Sequence, residues 1–270
     1  MVVGSNYTFE LHVITARSED LIQKSVKDTI NLEVNASDRG ELMNQSFSLR
    51  MEERINSKSL LTHPFYQAWQ NGELTINDLR HYAQQYYFFE AAFPMFLSSI
   101  HSKCQDRMVR QSILENLWDE EYGDNNHRAL WLAFCAGLGL SEEAVVNAEV
   151  NKETQALIDT YQDISGLGSF QEGLAAMYAY EFQVPAISIT KIEGLLAYYG
   201  FKKGDSIRFF DEHSTLDEEH AKREAESIIK HTSVEFETTV EKALDKALDA
   251  WWGFLDGINE ERFSRATAAD

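Results

Sequence analysis

The sequence predicts an all-α fold, a helical bundle around one buried core, and three observations carry that expectation. Apolar residues recur at helical spacing along most of the chain after about Phe47. Breakers are scarce, three prolines and fourteen glycines in 270 residues, and most stand where helices would start or stop. An apolar share of 44%, with 12% aromatic, supplies a core for one generous domain rather than two.

Residues 1–50 mix charged, polar and β-branched residues without sustained periodicity and read as a flexible or loosely docked N-terminal extension, Tyr7 to Val13 being strand-like. The domain is expected over 51–260, followed by a flexible tail at 261–270. Its first helix has a cap at Thr62 and His63, with Pro64 at the first helical position and Phe65, Tyr66 and Trp69 behind it. After the Asn71-Gly72 turn, Thr75 caps a helix with Asp78 at N3, carrying Tyr82, Tyr86 and Tyr87 and ended or kinked at Pro94. A helix from about Asp106 to Glu121 is weakened or broken at Gly123, and another follows from about Asn126 to Ala136. Ser141 caps a short acidic helix, and a further short one covers about 151–163. A long apolar helix, about 170–199, is interrupted at Pro185 and ended by Gly200. Helices over about 205–231 and 234–258 complete the bundle, the last with Ala243, Leu244, Ala247, Leu248 and Trp251 at core spacing.

A formal charge of −20 repels nucleic-acid backbones and anionic membranes, so neither is expected as a partner. Cys104 and Cys135 lie in separate apolar helical stretches, which suggests neither a disulfide framework nor a thiolate metal site. No long apolar run and no leader pattern in the first thirty positions are visible, and a cytoplasmic location is expected.

Against this background His213, Asp217 and His220 stand at i, i+4 and i+7, one face of a helix and half of a metal pocket. The other half is sought upstream. Glu120 and His127 are seven apart and share a face if the helix continues past Gly123. Glu181 is an acid inside an almost wholly apolar stretch, where a bare carboxylate costs several kcal/mol unless a cation or donors satisfy it. Pro185 removes the helical partner of the Glu181 carbonyl. Three carboxylates largely balance two divalent ions, and oxygen and imidazole ligands suit iron or manganese at least as well as zinc. The bland alternatives are a solvated acidic face for Glu120 and surface or satisfied core positions for single histidines. Lys191, on a mostly apolar helix, is either snorkelling or a buried amine with a lowered pKa. Tyr66, Tyr82, Tyr86 and Tyr180 read as core packing, unless a metal pair beside them oxidises one.

The chain resembles the heme-oxygenase-like (TenA/PqqC-like) di-metal oxidases, and within them the CADD-like family, named for the Chlamydia protein associating with death domains. The resemblance runs from about Leu61 to Ile258. It rests on His63 to Tyr66, Glu115 to Leu117, Glu120 to Gly123 with Asn126 and His127, and Tyr180 with Glu181. Gln183 to Pro185, Thr190 to Ile192, Tyr199 with Gly200, and His213 with Asp217 and His220 complete it. It implies a seven-helix-like bundle and a buried dinuclear centre, iron–iron or iron–manganese, held by Glu120, His127, Glu181, His213, Asp217 and His220. It further implies p-aminobenzoate synthesis for folate, consuming dioxygen and an external reductant. The family uses its own side chains as starting material, a tyrosine for the ring and a lysine for the amino group, and Tyr66 and Lys191 match by position. The enzyme would then turn over once, and a homodimer is its implied assembly. The first fifty residues depart from the family pattern.

Three other readings compete. An oxidase of an external amino-acid or fatty-acid substrate would keep the metal site but turn over repeatedly. A protein-interaction module would bind metal only structurally. A metal-free relative like thiaminase II or the pyrroloquinoline-quinone-forming enzyme would have no use for three buried carboxylates.

Overall fold

In a computed structural model, residues 36–269 are described, all of the regular structure among them being helical. Residues 36–46 are the helical start of α1 (Ala36–Ser57), and the compact unit that carries the site begins at Phe47. Phe47, Met51 and Ile55 repeat every four residues and are buried, so the second part of α1 belongs to the core. Arg50 and Arg54 fork onto Glu241, and Arg54 reaches Asp245 as well.

His63 caps α2 (Pro64–Gln70) by accepting the Phe65 N–H on Nδ1 (3.1 Å), while its Nε2–H meets Asp256 (3.0 Å). Thr75 and Asp78 form a reciprocal capping box at the start of α3 (Ile76–Lys103). Asp106 accepts two N–H groups at the start of α4 (Arg107–Glu121), and Asn126 caps α5 (His127–Gly137). Ser141 opens α6 (Glu142–Val146), Asn151 opens α7 (Lys152–Leu167), and a Ser169/Glu172 capping box opens α8 (Phe170–Glu181). Then come α9 (Val184–Tyr198), α10 (Arg208–His213), α11 (Leu216–His231) and α12 (Val234–Ala269). The long α3 and α12 bracket α7 and α8, and α11 packs on α8. At the centre Trp251 stacks on Tyr180 (4.1 Å) and donates to the Tyr161 hydroxyl (2.9 Å), which donates to the Ala176 carbonyl (2.9 Å). Cys104 and Cys135 are buried and free. No described helix is long and apolar enough to cross a membrane.

Five local expectations change. The helix preceding the domain starts by Ala36 rather than near Phe47, and the strand-like stretch from Tyr7 to Val13 lies outside the described residues. Pro94 lies inside α3, which runs on to Lys103 because its buried aromatic face holds it in the core on both sides of the proline. The interruption expected at Pro185 within 170–199 falls slightly earlier, at Phe182 and Gln183, and makes two helices. There the Gln183 N–H turns to the Tyr180 carbonyl (2.9 Å), and its side chain covers the Ala179 carbonyl (2.8 Å) while accepting the Leu60 N–H (2.8 Å). The helix over 205–231 breaks at Ser214 and Thr215, whose hydroxyls donate to the carbonyls of Asp211 and Glu212 and compete with the helical ladder. The end expected to be a flexible tail continues α12 through Ala269. Arg262 and Arg265 sit 3.7 and 3.3 Å from Asp78, which ties that end to the start of α3.

Candidate metal centre

Helix ends, rather than one helix face, bring the predicted side chains together. Glu120 is in the last turn of α4 and His127 is the first residue of α5; the chain between them turns at Gly123 with φ of 81°, the left-handed region that glycine tolerates. The break expected at Gly123 is thus present, and although the pair shares no helix face, His127 Nδ1 lies 2.9 Å from Glu120 Oε1. That contact lacks the direction of a hydrogen bond, leaving Nδ1 without a donor or acceptor partner, as in two ligands converging on a common point.

His213 closes α10, while Asp217 and His220 lie in the first turns of α11, so the three do not share one helix. The break sends them to two groups. His213 joins Glu120 and His127, with ligand atoms all within 4.8 Å of one another, a buried group able to hold a metal ion. His213 donates Nδ1–H to the Phe209 carbonyl (2.7 Å), which fixes its tautomer and leaves Nε2 free. Asp217 and His220 join Glu181, with His220 Nδ1 3.8 Å from Asp217 and 3.9 Å from Glu181. Its Nε2 faces the Asp119 carboxylate at 3.6 Å.

All six side chains are buried. Burial, then the Asn116, Glu120 and His127 neighbours, leave the Glu181 carboxyl at about 8. Burial and the Glu181 charge hold Asp217 well above the carboxylate range. Burial opposes charge on His127, but the adjacent Glu120 outweighs it and raises the imidazolium to about 10. His213 and His220 are pushed down, chiefly by burial, to the neutral form that binds metals. Orphaned acceptor atoms with no thiolate among them fit a hard or borderline divalent ion.

Three further residues belong to this region, of which Glu90 and Glu224 had no role in the sequence reading and Asn116 only a place within the Glu115 to Leu117 motif. Glu90 on α3 is 5% exposed with an unpartnered Oε1. Burial and Glu120 leave it at about 8, against the pull of His127 and Lys191. The signal was present: Glu90 stands in an apolar run four residues before Pro94, as Glu181 does before Pro185. Asn116 donates to Glu181 (3.0 Å), and Glu224 continues the buried face of α11 four residues after His220. Lys222, Arg223 and Glu226 around Glu224 disguise it as part of a solvated stretch.

A second cluster lies beside the first. Lys191 Nζ donates to the Tyr82 hydroxyl (2.7 Å), and that hydroxyl is 3.1 Å from the Tyr66 hydroxyl. The amine is 5.2 Å from the centre of the Tyr66 ring and 5.3 Å from that of Tyr86, whose hydroxyl pairs with Tyr180 (2.7 Å). Of the two readings of Lys191, the buried amine is the observed one; burial lowers its pKa to about 7, with the Glu90 charge acting against the fall. Gly194 makes room for this packing, since a Cβ there would lie 2.6 Å from the Trp69 ring, whose Nε1 donates to the Lys191 carbonyl (3.3 Å).

Residues 51–259 match the TENA/THI-4/PQQC family. The chain is similar to a 4-aminobenzoate synthase of Nitrosomonas europaea, 42% identical over 80% of this chain and 92% of that one. It is likewise similar to a 4-aminobenzoate synthase of Chlamydia muridarum, 37% identical over 81% and 92%. Among solved structures, a domain of unknown function with a heme oxygenase-like fold from Shewanella denitrificans superposes with a TM-score of 0.65 at 17% identity, covering 82% of this chain and 92% of that one.

Proposed function

The chain belongs to the TENA/THI-4/PQQC family, and on that premise we propose that it is an oxygen-dependent 4-aminobenzoate synthase that consumes its own Tyr66 and Lys191. The observation that carries this reading is the contact chain from Lys191 Nζ through the Tyr82 hydroxyl to the Tyr66 hydroxyl, all sealed from solvent. Packing an amine against a phenol in this way serves no purpose for stability, but it holds two reactants in place.

In the product an amino nitrogen occupies the ring carbon that carries the tyrosine oxygen, and Cβ becomes the carboxyl carbon. The Cζ–O bond of Tyr66, whose oxygen leaves as water, its Cα–Cβ bond and the Cε–Nζ bond of Lys191 therefore break, while a Cζ–N bond and the carboxyl C–O bonds on Cβ form. The overall change is an oxidation, with dioxygen as oxidant and an external reductant completing the balance. Glu120, His127 and His213 would hold one metal ion and Glu181, Asp217 and His220 a second, as a pair of irons or an iron and a manganese. Such a pair, when bound, supplies the redox chemistry that draws on dioxygen.

The residues of the chain do the rest. Burial keeps a large share of Lys191 as the neutral amine near neutral pH, the form with a lone pair to donate. Tyr82 holds that amine at the oxygen end of Tyr66 and can pass a proton between the two. Phe65, stacked on Tyr82 at 5.2 Å, and Trp69, edge-on to it at 5.6 Å, exclude water and fix the ring planes.

The test is a single-turnover assay on metal-free protein reloaded with iron, with and without manganese, then given dioxygen and a reductant. Released 4-aminobenzoate at no more than one per chain, with mass loss mapped to Tyr66 and a modified Lys191, is the expected result. Oxygen uptake by filled protein with no product and an unchanged mass would transfer the function to an external substrate.

A further inference from the structure

A narrow cavity with room for little more than one water, about 10 Å³, lies between α3, α4, α8 and α11. Its lining includes Asn116, His220, Arg223 and Glu224, so it reaches the candidate centre at His220. Two of these lining residues carry a buried atom without a hydrogen-bond partner, Asn116 Oδ1 and Glu224 Oε2. The two residues are 4% and 6% exposed, and neither belongs to the ligand set. The orientation of Asn116 is not free, because its Nδ2 donates to Glu181 (3.0 Å) and a flipped amide would set oxygen against oxygen. The guanidinium of Arg223 is engaged with Glu115. Two buried, unpartnered oxygens in one narrow cavity beside Glu181 match a small cation.

Outside this cavity a groove of about 590 Å³ opens on the surface and shares His220 and Arg223 with it. Three carboxylates, Glu115, Asp119 and Glu219, line the groove against the one arginine. Such a surface concentrates divalent cations. Groove and cavity share His220 and Arg223 as walls, with exposed carboxylates on the outer side, one buried carboxylate on the inner, and the Arg223–Glu115 ion pair where they meet.

We propose that groove and cavity together are the loading route of the metal centre, with Glu224 and Asn116 as a transit station that holds a divalent cation before it passes to His220, Asp217 and Glu181. The proposal rests on the metal centre argued above. It differs from a ligand role, because a transit residue governs how fast metal arrives and leaves the final occupancy unchanged.

The experiment is anaerobic loading of the full-length metal-free protein with ferrous iron, followed in time by competition with a coloured chelator, with total bound iron read at the end. Glu224→Gln is expected to load roughly tenfold more slowly than wild type yet reach the full wild-type complement. The surface pair Glu115→Gln/Glu219→Gln, which disturbs no buried group, is expected to load more slowly at low salt and lose that difference at high salt. A wild-type loading rate in both variants overturns the route. A reduced final complement in Glu224→Gln overturns the transit role by making Glu224 a resident ligand. Wild-type protein that takes up no iron at all would instead remove the metal centre on which the route depends.

Discussion

The buried core has two chemically different halves, side by side. In the aromatic half the hydroxyls of Tyr66, Tyr82, Tyr86 and Tyr180 and the Lys191 amine all have hydrogen-bond partners within 3.1 Å. In the acidic half Glu90 Oε1, Asn116 Oδ1, His127 Nδ1, Glu181 Oε2 and Glu224 Oε2 are buried without one. Both halves are equally sealed, so the difference is one of completion. The first is a closed hydrogen-bonded unit, and the second is a set of buried unpartnered atoms that metal ions would satisfy together in place of protons.

The strongest way to break this contrast is to remove a ligand. Glu181→Ala and His213→Ala are each expected to lose bound iron by more than the roughly 10–100-fold seen when only a supporting residue is removed, and to make no product. Tyr66→Phe is expected to keep full iron and also make none. Metal content and released 4-aminobenzoate measured on the same samples separate the two halves, and iron loss in Tyr66→Phe would merge them. The sign with pH follows from the metal-free protein. His127 at about 10 and Glu181 at about 8 hold protons near neutrality, and a metal must displace them. Iron affinity should therefore rise steadily from acid pH through the Glu181 range, and an affinity flat with pH would contradict that protonation.

Lys191 tests the cost of the aromatic half. Its amine falls from the ordinary value near 10.5 to about 7 on folding, by burial first, so the unfolded chain holds a proton that the folded one sheds between those values. Stability of the metal-free protein should accordingly climb as pH rises from about 7 towards 10.5, with the full penalty present below 7. Lys191→Met keeps the bulk and removes the charge. It is expected to stabilise the metal-free protein by roughly 4 kcal/mol at neutral pH and to flatten that slope. Denaturant unfolding at several pH values checks it, and an unchanged slope would mean the amine is not desolvated.

These two halves were unequally legible in the sequence. Glu181 stands out as an acid in an apolar helix, His213, Asp217 and His220 by their spacing, and Glu120, His127, Tyr66 and Lys191 gain their place in the set through the resemblance. The geometry that joins them was not legible. A shared helix face at His213, Asp217 and His220 was the natural reading of their spacing, whereas the break at Ser214 and Thr215 deals them to two groups. At Glu120 and His127 the break at Gly123 was readable, but that the two side chains still meet across it was not, since tertiary packing sets the angle between the two helices. Glu224 was hidden by charged neighbours, because one charge pattern serves both a solvated stretch and a buried acid. The bundle itself was readable because caps such as Thr75, Asp106 and Ser169 act locally. The prolines were half readable: the interruption expected at Pro185 falls just before it, whereas Pro94 stays within α3 rather than ending it.

Gly194 probes how closely the aromatic half is fitted. An added methyl would press on the Trp69 ring, which lies edge-on to Tyr82 and holds the Lys191 carbonyl. Gly194→Ala is expected to destabilise the fold by about 1–3 kcal/mol, as overpacking does, and to lower product yield while leaving iron content intact. A variant with wild-type yield would show that the ring positions tolerate movement.

The smallest effect should come from Asp78, which belongs to neither half. Its carboxylate accepts the Thr75 N–H (2.8 Å) at the start of α3 and lies 3.3 Å from Arg265 and 3.7 Å from Arg262 near the end of α12. Asp78→Ala removes the return bond of the capping box, about 1 kcal/mol. The partly exposed arginine pairs add roughly 1 kcal/mol or less, a contribution that salt should screen. Iron content and product per folded chain are expected to match wild type. The logic of the contrast depends on that result, because a comparable loss of product in Asp78→Ala would mean that any loosening of the bundle disables the chemistry. Failures in the site variants would then report stability rather than the two chemical roles assigned to the core.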